Sequence, residues 1–329
     1  MNKFLMLAAG TVVLSLAASG AMAQGKKELA VVVKGVDNPF FEQINLGCQQ
    51  WNADNPNSEY ICTYQGPASS ADEQGEVQMV EDLLTKGVAG IAISPSNAAA
   101  MATMLRRVGP TMPVMTVDAD VLTEDASLRT TYLGTNNYDM GVAMATQMQR
   151  LKPSGGTVCL QLGNVGAANI NARAAGIRET LGGAGTERLT GQGGWTEIEA
   201  CPVFTNDQPD VANNQMTEVL QANADLDAFI LVGGWAQFAP QAYRQTTDGV
   251  MDRISSGDLI VVAGDVIATT PALFAEGRSH AQIAQRPFEM GYRSPEVLIQ
   301  IINGEDVPDP MFTALDICTQ EDPGICAVD

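Results

Sequence analysis

The chain reads as an α/β protein of two doubly wound parallel-sheet lobes, with helices on both faces of each sheet. Three observations carry this. Short apolar runs of strand length recur at residues 29–33, 60–64, 91–94, 114–117, 157–162, 228–232 and 259–263. Between them lie segments whose apolar residues repeat at helical spacing, such as Phe41, Ile44 and Cys48, or Val77, Val80, Leu83 and Leu84. Strand and helix alternating in this way means βαβ units and parallel sheets. The third observation is length. A chain of 329 residues exceeds what one core usually serves, and one sheet of about ten strands would be unusually large.

The punctuation agrees with the helices. Gly87, Gly182 and Gly304 sit where a helix C-terminus favours a positive φ. Pro209, Pro271, Pro287 and Pro295 suit first helical turns. No internal repeat and no low-complexity stretch is visible in the sequence.

The first residues form an export signal. Lys3 precedes an apolar run over residues 4–18, and Ala21-Met22-Ala23 offers a small-x-small cleavage site before Gln24. A membrane helix needs about 20 uninterrupted apolar residues. This run is shorter and carries Gly10, Thr11 and Ser15. Residues 1–23 are therefore expected to be removed. The first cysteine, Cys48, lies far beyond the cut, so no lipid anchor is expected and the product should be soluble and free of the membrane.

A formal net charge of −20 disfavours nucleic acid, anionic lipid and polyanionic ligands. In an exported chain six cysteines can persist as disulfides. Their positions fall into near neighbours, Cys48 with Cys62, Cys159 with Cys201 and Cys318 with Cys326, although about fifteen pairings are formally possible. A metal site would need clustered Cys or His. The chain has no Cys-x-x-Cys and a single histidine, His280.

In doubly wound sheets ligands bind at the carboxyl ends of strands. The residues there include Lys34, Asn38, Phe40, Phe41, Asp118, Asp120, Arg173, Trp235 and Asp265. Carboxylates, amides and a guanidinium beside aromatics suit a neutral sugar, whose hydroxyls both donate and accept around weakly apolar C–H faces. Singly, each residue also has a purely structural reading. Asn38 can cap the helix opened by Pro39, Phe40 and Phe41 can be core, and Trp235 can be a core residue at a helix start.

Together the motifs resemble those of the ribose-binding-protein-like periplasmic receptors (periplasmic binding protein type 1) that serve sugar ABC transporters. They run in the family's order: Asp37-Asn38-Pro39-Phe40-Phe41, Gly90-Ile91-Ala92-Ile93-Ser94-Pro95, Pro113-Val114-Met115-Thr116-Val117-Asp118, Asn171-Ala172-Arg173-Ala174-Ala175-Gly176, Val262-Ala263-Gly264-Asp265 and Ile283-Ala284-Gln285. The resemblance implies a cleft lined by Asn38, Phe40, Phe41, Asp118, Asp265 and Gln285, with the aromatics stacking on the ring. It also implies an arginine at the Asn171 position, which makes both Asn171 and Arg173 candidates. Gly233-Gly234-Trp235 departs from the Asn-Asp often found there, so Gly233 and Trp235 read as a substituted stacking surface. Lys34 is a further unusual rim residue.

The same resemblance implies a hinge of three crossovers, near 132–135, 285–286 and 311–314. It divides the chain into an N-terminal lobe of residues 24–133 plus 286–312 and a C-terminal lobe of 134–285 plus 313–329.

Catalysis has little support. One histidine leaves Ser-His and Cys-His chemistry without a base, no Gly-x-Ser-x-Gly or phosphate-loop pattern occurs, and Gly182, Gly183 and Gly185 follow a helix rather than a strand. Two carboxylates alone would suffice for a glycosidase, which is the enzyme alternative. The expectation is a monomeric, non-enzymatic periplasmic receptor with no cofactor and no metal. It would bind a monosaccharide or small polyol and deliver it to an ABC permease with its ATPase. The alternative is a sensing receptor that feeds chemotaxis or a membrane kinase.

Overall fold

The computed structural model describes residues 25–327, and the export segment lies outside them. In chain order the strands are β1 (Lys27–Val32), β2 (Tyr60–Gln65), β3 (Gly90–Ile93), β4 (Val114–Val117), β5 (Tyr132–Thr135), β6 (Gly156–Leu162), β7 (Trp195–Glu197), β8 (Val203–Phe204), β9 (Ala228–Leu231), β10 (Ile260–Gly264), β11 (Ala281–Ala284), β12 (Met311–Thr313) and β13 (Asp316–Thr319). The helices that matter below are α1 (Pro39–Asp54), α2 (Glu73–Lys86), α3 (Ala98–Val108), α4 (Asn137–Leu151), α5 (Ala168–Gly182), α6 (Pro209–Ala222), α7 (Trp235–Phe238), α8 (Pro240–Asp248), α9 (Met251–Ser256), α10 (Thr270–Ala275) and α11 (Pro287–Ile302).

Two sheets result. The first runs β12-β5-β4-β3-β1-β2 and is parallel throughout. The second runs β13-β11-β10-β9-β6-β7, with β8 also on β6; it is parallel except for β13. Every residue of β3, β4, β5, β9, β10 and β11 is buried, as expected of strands covered on both faces. In the first sheet, Leu29, Val31 and Val33 meet α1 and α11 on one face, while Ala30 and Val32 meet α2 and α3 on the other. α4 and α5 pack against each other beside the second sheet.

The chain changes sheet three times. It leaves β5 for α4, which packs on β10 and β11; it leaves β11 for α11, which packs on α1 and the first sheet; and it passes from β12 to β13. All seven sequence-read strands are present. β5, β11, β12 and β13 lie at or beside these changes of sheet. β12 has only three residues, and Gly134, Gln282 and Asp316 break the apolar runs of β5, β11 and β13, which is why apolar runs alone did not mark them as strands.

Two expected helix signals are displaced. α5 continues through Gly182, and its positive-φ cap is Gly183. Pro295 lies inside α11, not at its start. It lacks the N–H that would serve the carbonyl of Gly291. At this point α11 presses on α1, where a Cβ on Gly291 would fall 2.0 Å from the Ile44 carbonyl oxygen. Tertiary packing holds the turn, and Ser294 Oγ donates to the Met290 carbonyl at 2.7 Å.

The six cysteines form three local disulfides, Cys48–Cys62, Cys159–Cys201 and Cys318–Cys326, closing 14, 42 and 8 residues respectively. The first ties α1 to β2, and the second ties β6 to the loop before β8. A cross-link restricts the unfolded chain more when its loop is longer, by roughly 3 kcal/mol for a 15-residue loop and about 5 for one of 100. Thiol titration of the denatured, unreduced protein should find no free cysteine. Removing Cys159–Cys201 should lower the melting temperature most, and removing Cys318–Cys326 least.

Candidate functional site

Where the carboxyl ends of the two sheets face each other, residues of both line a narrow cavity of about 20 Å3. As it stands this is room for little more than one water molecule, far below the roughly 300–1,000 Å3 of ligand pockets, so a larger ligand requires the two sheets to part.

The first sheet contributes Lys34, just after β1, and the start of α1. Asn38 caps that helix, its Oδ1 accepting from the Phe40 N–H at 3.0 Å, with Pro39 in the first turn. Phe40 and Phe41 meet edge-to-face at 5.4 Å between centroids; both belong to the core and both line the cavity. Asp118 follows β4 in the left-handed region, at φ 63°. Non-glycine residues adopt this conformation at a cost, which is tolerated where the surroundings enforce it. Ser94 Oγ, from the end of β3, donates to its Oδ2 at 2.8 Å, and Lys34 Nζ stands 4.0 Å from the same oxygen. Burial pushes the Asp118 carboxyl up, against the opposing charges of Lys34 and Arg173.

The second sheet answers with Asp265 after β10, at φ 64°. Its carboxylate accepts from the Gly234 N–H at 3.2 Å and from Gln285 Nε2 at 2.6 Å, and Arg173 Nη1 lies 3.8 Å away. Arg173 reaches the cavity from α5, donating from Nε to Asn137 Oδ1 at 2.8 Å and from Nη1 to the Val232 carbonyl at 3.2 Å. α4 and α5 come this close because Gly141 and Gly176 lie between them: a Cβ at either would sit 2.1 or 2.2 Å from a backbone oxygen of the other helix. Trp235 opens α7 and lines the cavity while belonging to the core.

A larger groove, of about 450 Å3, lies beside β5 and β12 and shares Asn169 with the cavity. Its charged residues, Asp120 and Arg129, already satisfy each other. Beside the groove Thr135 Oγ1 is buried without a partner, whereas the cavity leaves two acceptors open, Asp207 Oδ1 and Gln285 Oε1, among charged side chains of both sheets. Buried acceptors left open in this way mark the cavity as the candidate site.

Residues 29–306 match the family model described as periplasmic binding protein domain. The chain belongs to this family. It is 24% identical over 307 residues to the D-allose-binding periplasmic protein of Escherichia coli, covering 91% of each chain. Its fold is similar to that of an ABC transporter solute-binding protein from Agrobacterium vitis with bound D-fucose (TM-score 0.78, 23% identity, 90% of this chain and 96% of that one). It is also similar to the XylFII–LytSN complex (TM-score 0.75, 18% identity, 90% and 99%).

Nine of the twelve sequence-selected residues line the cavity of this periplasmic binding protein: Lys34, Asn38, Phe40, Phe41, Asp118, Arg173, Trp235, Asp265 and Gln285. Three do not. Asp120 is turned away by the left-handed backbone at Asp118 and instead accepts from Thr116 Oγ1 and the Arg129 guanidinium, each at 2.6 Å. Asn171 is exposed and donates to the Val165 carbonyl. On a helix it lies two residues, about 200°, from Arg173, so the two cannot share a face. Gly233 lies beneath Trp235, where a Cβ would be 2.7 Å from the indole.

Three lining residues escaped the sequence reading: Asn169, Ile170 and Asp207. Asn169 and Ile170 are one turn before Arg173 on the same helical face, a spacing that would have found them. Asn169 Oδ1 accepts from Lys34 Nζ at 3.1 Å, joining the two halves of the site.

Behind the cavity, Glu76 is wholly buried and accepts from both the N–H and Oγ of Ser96. Burial pushes its carboxyl up to about 7, against the bonds from Ser96 and the charge of Lys34. A carboxyl raised in the folded state binds its proton more tightly than in the unfolded chain, so its contribution to stability is lost as pH rises from about 4.5 to about 7. Glu76→Gln should remove that dependence. The expected outcome is a shallower fall in the melting temperature of the unliganded variant between about pH 5 and pH 7.5, worth on the order of 1–3 kcal/mol.

Proposed function

We propose that this protein is the periplasmic solute-binding component of an ABC importer and binds a monosaccharide or small polyol between its two lobes, which close on it. The family is one of solute-binding proteins rather than enzymes, and the relatives and structural neighbours described above include sugar-binding members. Among the described residues no helix is long and apolar enough to cross a membrane.

The observation that carries the reading is the chemistry of the cavity. Open acceptors on Asp207 and Gln285, cationic donors on Lys34 and Arg173, and the rings of Phe40, Phe41 and Trp235 surround one small space. Ring hydroxyls would donate to the acceptors and receive from the donors, while the C–H faces would meet the aromatics. Charge-assisted hydrogen bonds contribute roughly 1.5–3 kcal/mol each. A few of these with stacking reach the about −8 kcal/mol of a micromolar affinity.

The three changes of sheet form the proposed hinge, after Thr135, at Gln285–Arg286 and after Thr313. Because each lobe holds part of the contact set, ligand favours the closed arrangement. The permease and its ATPase would read that closure. The second reading, a receptor that reports its ligand to a signalling partner, draws on the neighbour found in the XylFII–LytSN complex.

A thermal-shift screen of sugars and polyols, followed by calorimetry, tests the binding function. Asp118→Asn and Asp265→Asn keep the side-chain shape but remove a charged acceptor. Each should weaken binding by roughly 1.5–3 kcal/mol, more than tenfold, while the exposed control Asp252→Ala leaves it unchanged. Wild-type affinity in both cavity variants would place the ligand elsewhere. Mass spectrometry of the best ligand after prolonged incubation should show it unaltered.

A further inference from the structure

The charges of the cavity do not balance. Asp118 has Lys34, and Asp265 has Arg173. Asp207 is only 3% exposed, yet among the described residues no Lys, Arg or His comes within 4.0 Å of it. The cavity therefore holds three carboxylates against two cations.

The fold keeps this third carboxylate in place against opposition. Asn206 and Asp207 stand consecutively in the left-handed region, at φ 50° and 58°, a conformation that costs free energy for non-glycine residues. Space is left for the carboxylate by Gly163, where a Cβ would fall 2.2 Å from Asp207 Oδ1 and 2.8 Å from the Trp235 ring. Oδ1 itself is buried and unpartnered. Burial pushes the carboxyl up to about 6, against the charges of Lys34 and Arg173 and a hydrogen bond from the Asn164 backbone, while Asp118 adds to the rise. Above that pH it is mainly ionised.

We infer that Asp207 sets the charge class of the ligand: the cavity admits neutral or amine-bearing sugars and rejects sugar acids. This rests on the sugar-binding reading above and adds to it a residue that determines specificity. A ligand hydroxyl or ammonium would satisfy Oδ1. A ligand carboxylate would face an unpaired buried carboxylate, a repulsion that discriminates against the wrong partner more strongly than any added attraction favours the right one.

The test uses the full chain after export and a panel of aldopentoses, aldohexoses, their aldonates and hexuronates, and 2-amino-2-deoxyhexoses. At about pH 7.5 the wild type should bind its best neutral or amino sugar at least about thirtyfold more tightly than the acid of the same sugar, and Asp207→Asn should reduce that ratio about tenfold or more. In the wild type the ratio should also shrink on lowering the pH to about 5.5, as Asp207 gains its proton and the repulsion fades, whereas in Asp207→Asn it should stay flat. The variant controls for any titration of Asp118. If Asp207→Asn does not fold, Asp207→Ser takes its place in both comparisons. A sugar acid bound as tightly as its neutral parent, or a ratio unmoved by both the substitution and pH, overturns the inference and leaves the sugar-binding reading standing. If no member of the panel binds, the sugar-binding reading fails and the inference fails with it.

Discussion

Buried charge has to be neutralised, and that requirement organises the region where the two sheets meet. Each sheet brings its own pair, Lys34 with Asp118 and Arg173 with Asp265. Taking such groups out of water costs several kcal/mol per ion, so each needs further partners. The neighbouring elements supply them: Ser94 from β3 for Asp118, Gln285 and the Gly234 N–H for Asp265, Asn137 from α4 for Arg173, and Asn169 from α5 for Lys34. The glycine contact between α4 and α5, the left-handed turns after β4 and β10, and the cap of α1 all serve to deliver these side chains.

The sheets also share a plan that the sequence hides. β12-β5-β4-β3-β1-β2 and β13-β11-β10-β9-β6-β7 have the same order of connection, and they differ in that β12 is parallel to its neighbour while β13 is antiparallel. Asp118 follows β4 and Asp265 follows β10, the corresponding strands, with φ values of 63° and 64°. Yet no repeat is visible in the residues. A parallel strand buried on both faces asks only for apolar side chains, and many sequences meet that demand. Both halves require the same chemistry at the carboxylate that ends the strand and at the glycine of the following crossover helix, Gly141 in α4 and Gly291 in α11, where a Cβ would fall 2.1 and 2.0 Å from a backbone oxygen of the facing helix.

Legibility in the sequence follows from the same physics. Seven strands were readable from largely apolar runs, which burial on both faces explains for β3, β4, β9 and β10, while β2 is an edge strand with Ile61 exposed. The short strands at the changes of sheet and at the sheet edges were not, since β7, β8 and β12 have only two or three residues and β8 is half-buried. In the site, residues that directly end a recognisable strand were found, as with Lys34, Asp118 and Asp265. Asp120 was misplaced because a left-handed residue reverses the direction that strand alternation predicts. Asn171 was a candidate through the family resemblance, and it lies outside the cavity because on α5 a residue two positions from Arg173 points elsewhere. Asp207 follows the two-residue β8 and lies in Thr205-Asn206-Asp207-Gln208, a stretch that looks like an ordinary turn. Its role in the cavity appears only once Gly163 and Trp235 are seen around it.

Ligand dependence of the proposed closure can be argued from which contacts an empty cavity leaves unmade. At the rim, the Ala98 N–H donates to the Gly166 carbonyl at 3.1 Å, Asn164 Nδ2 to the Ser70 carbonyl at 3.2 Å, and Gln208 Nε2 to Asp37 Oδ2 at 3.2 Å. These join elements of the two sheets without any ligand, and bonds of this kind contribute about 0.5–1.5 kcal/mol each. Alone they would hold the lobes together whether or not a ligand was present. Against them stand Asp207 Oδ1 and Gln285 Oε1, which closure withdraws from water with nothing to accept from, at roughly 1–3 kcal/mol each. The open acceptors oppose the bonds between the sheets, so an empty cavity weakens the closed arrangement. Hydroxyls that fill the open acceptors cancel the opposing part and leave the rim bonds in place. A ligand then needs to contribute only a few kcal/mol of difference between the two arrangements to shift the population decisively, and the rest of its contact energy remains available as affinity.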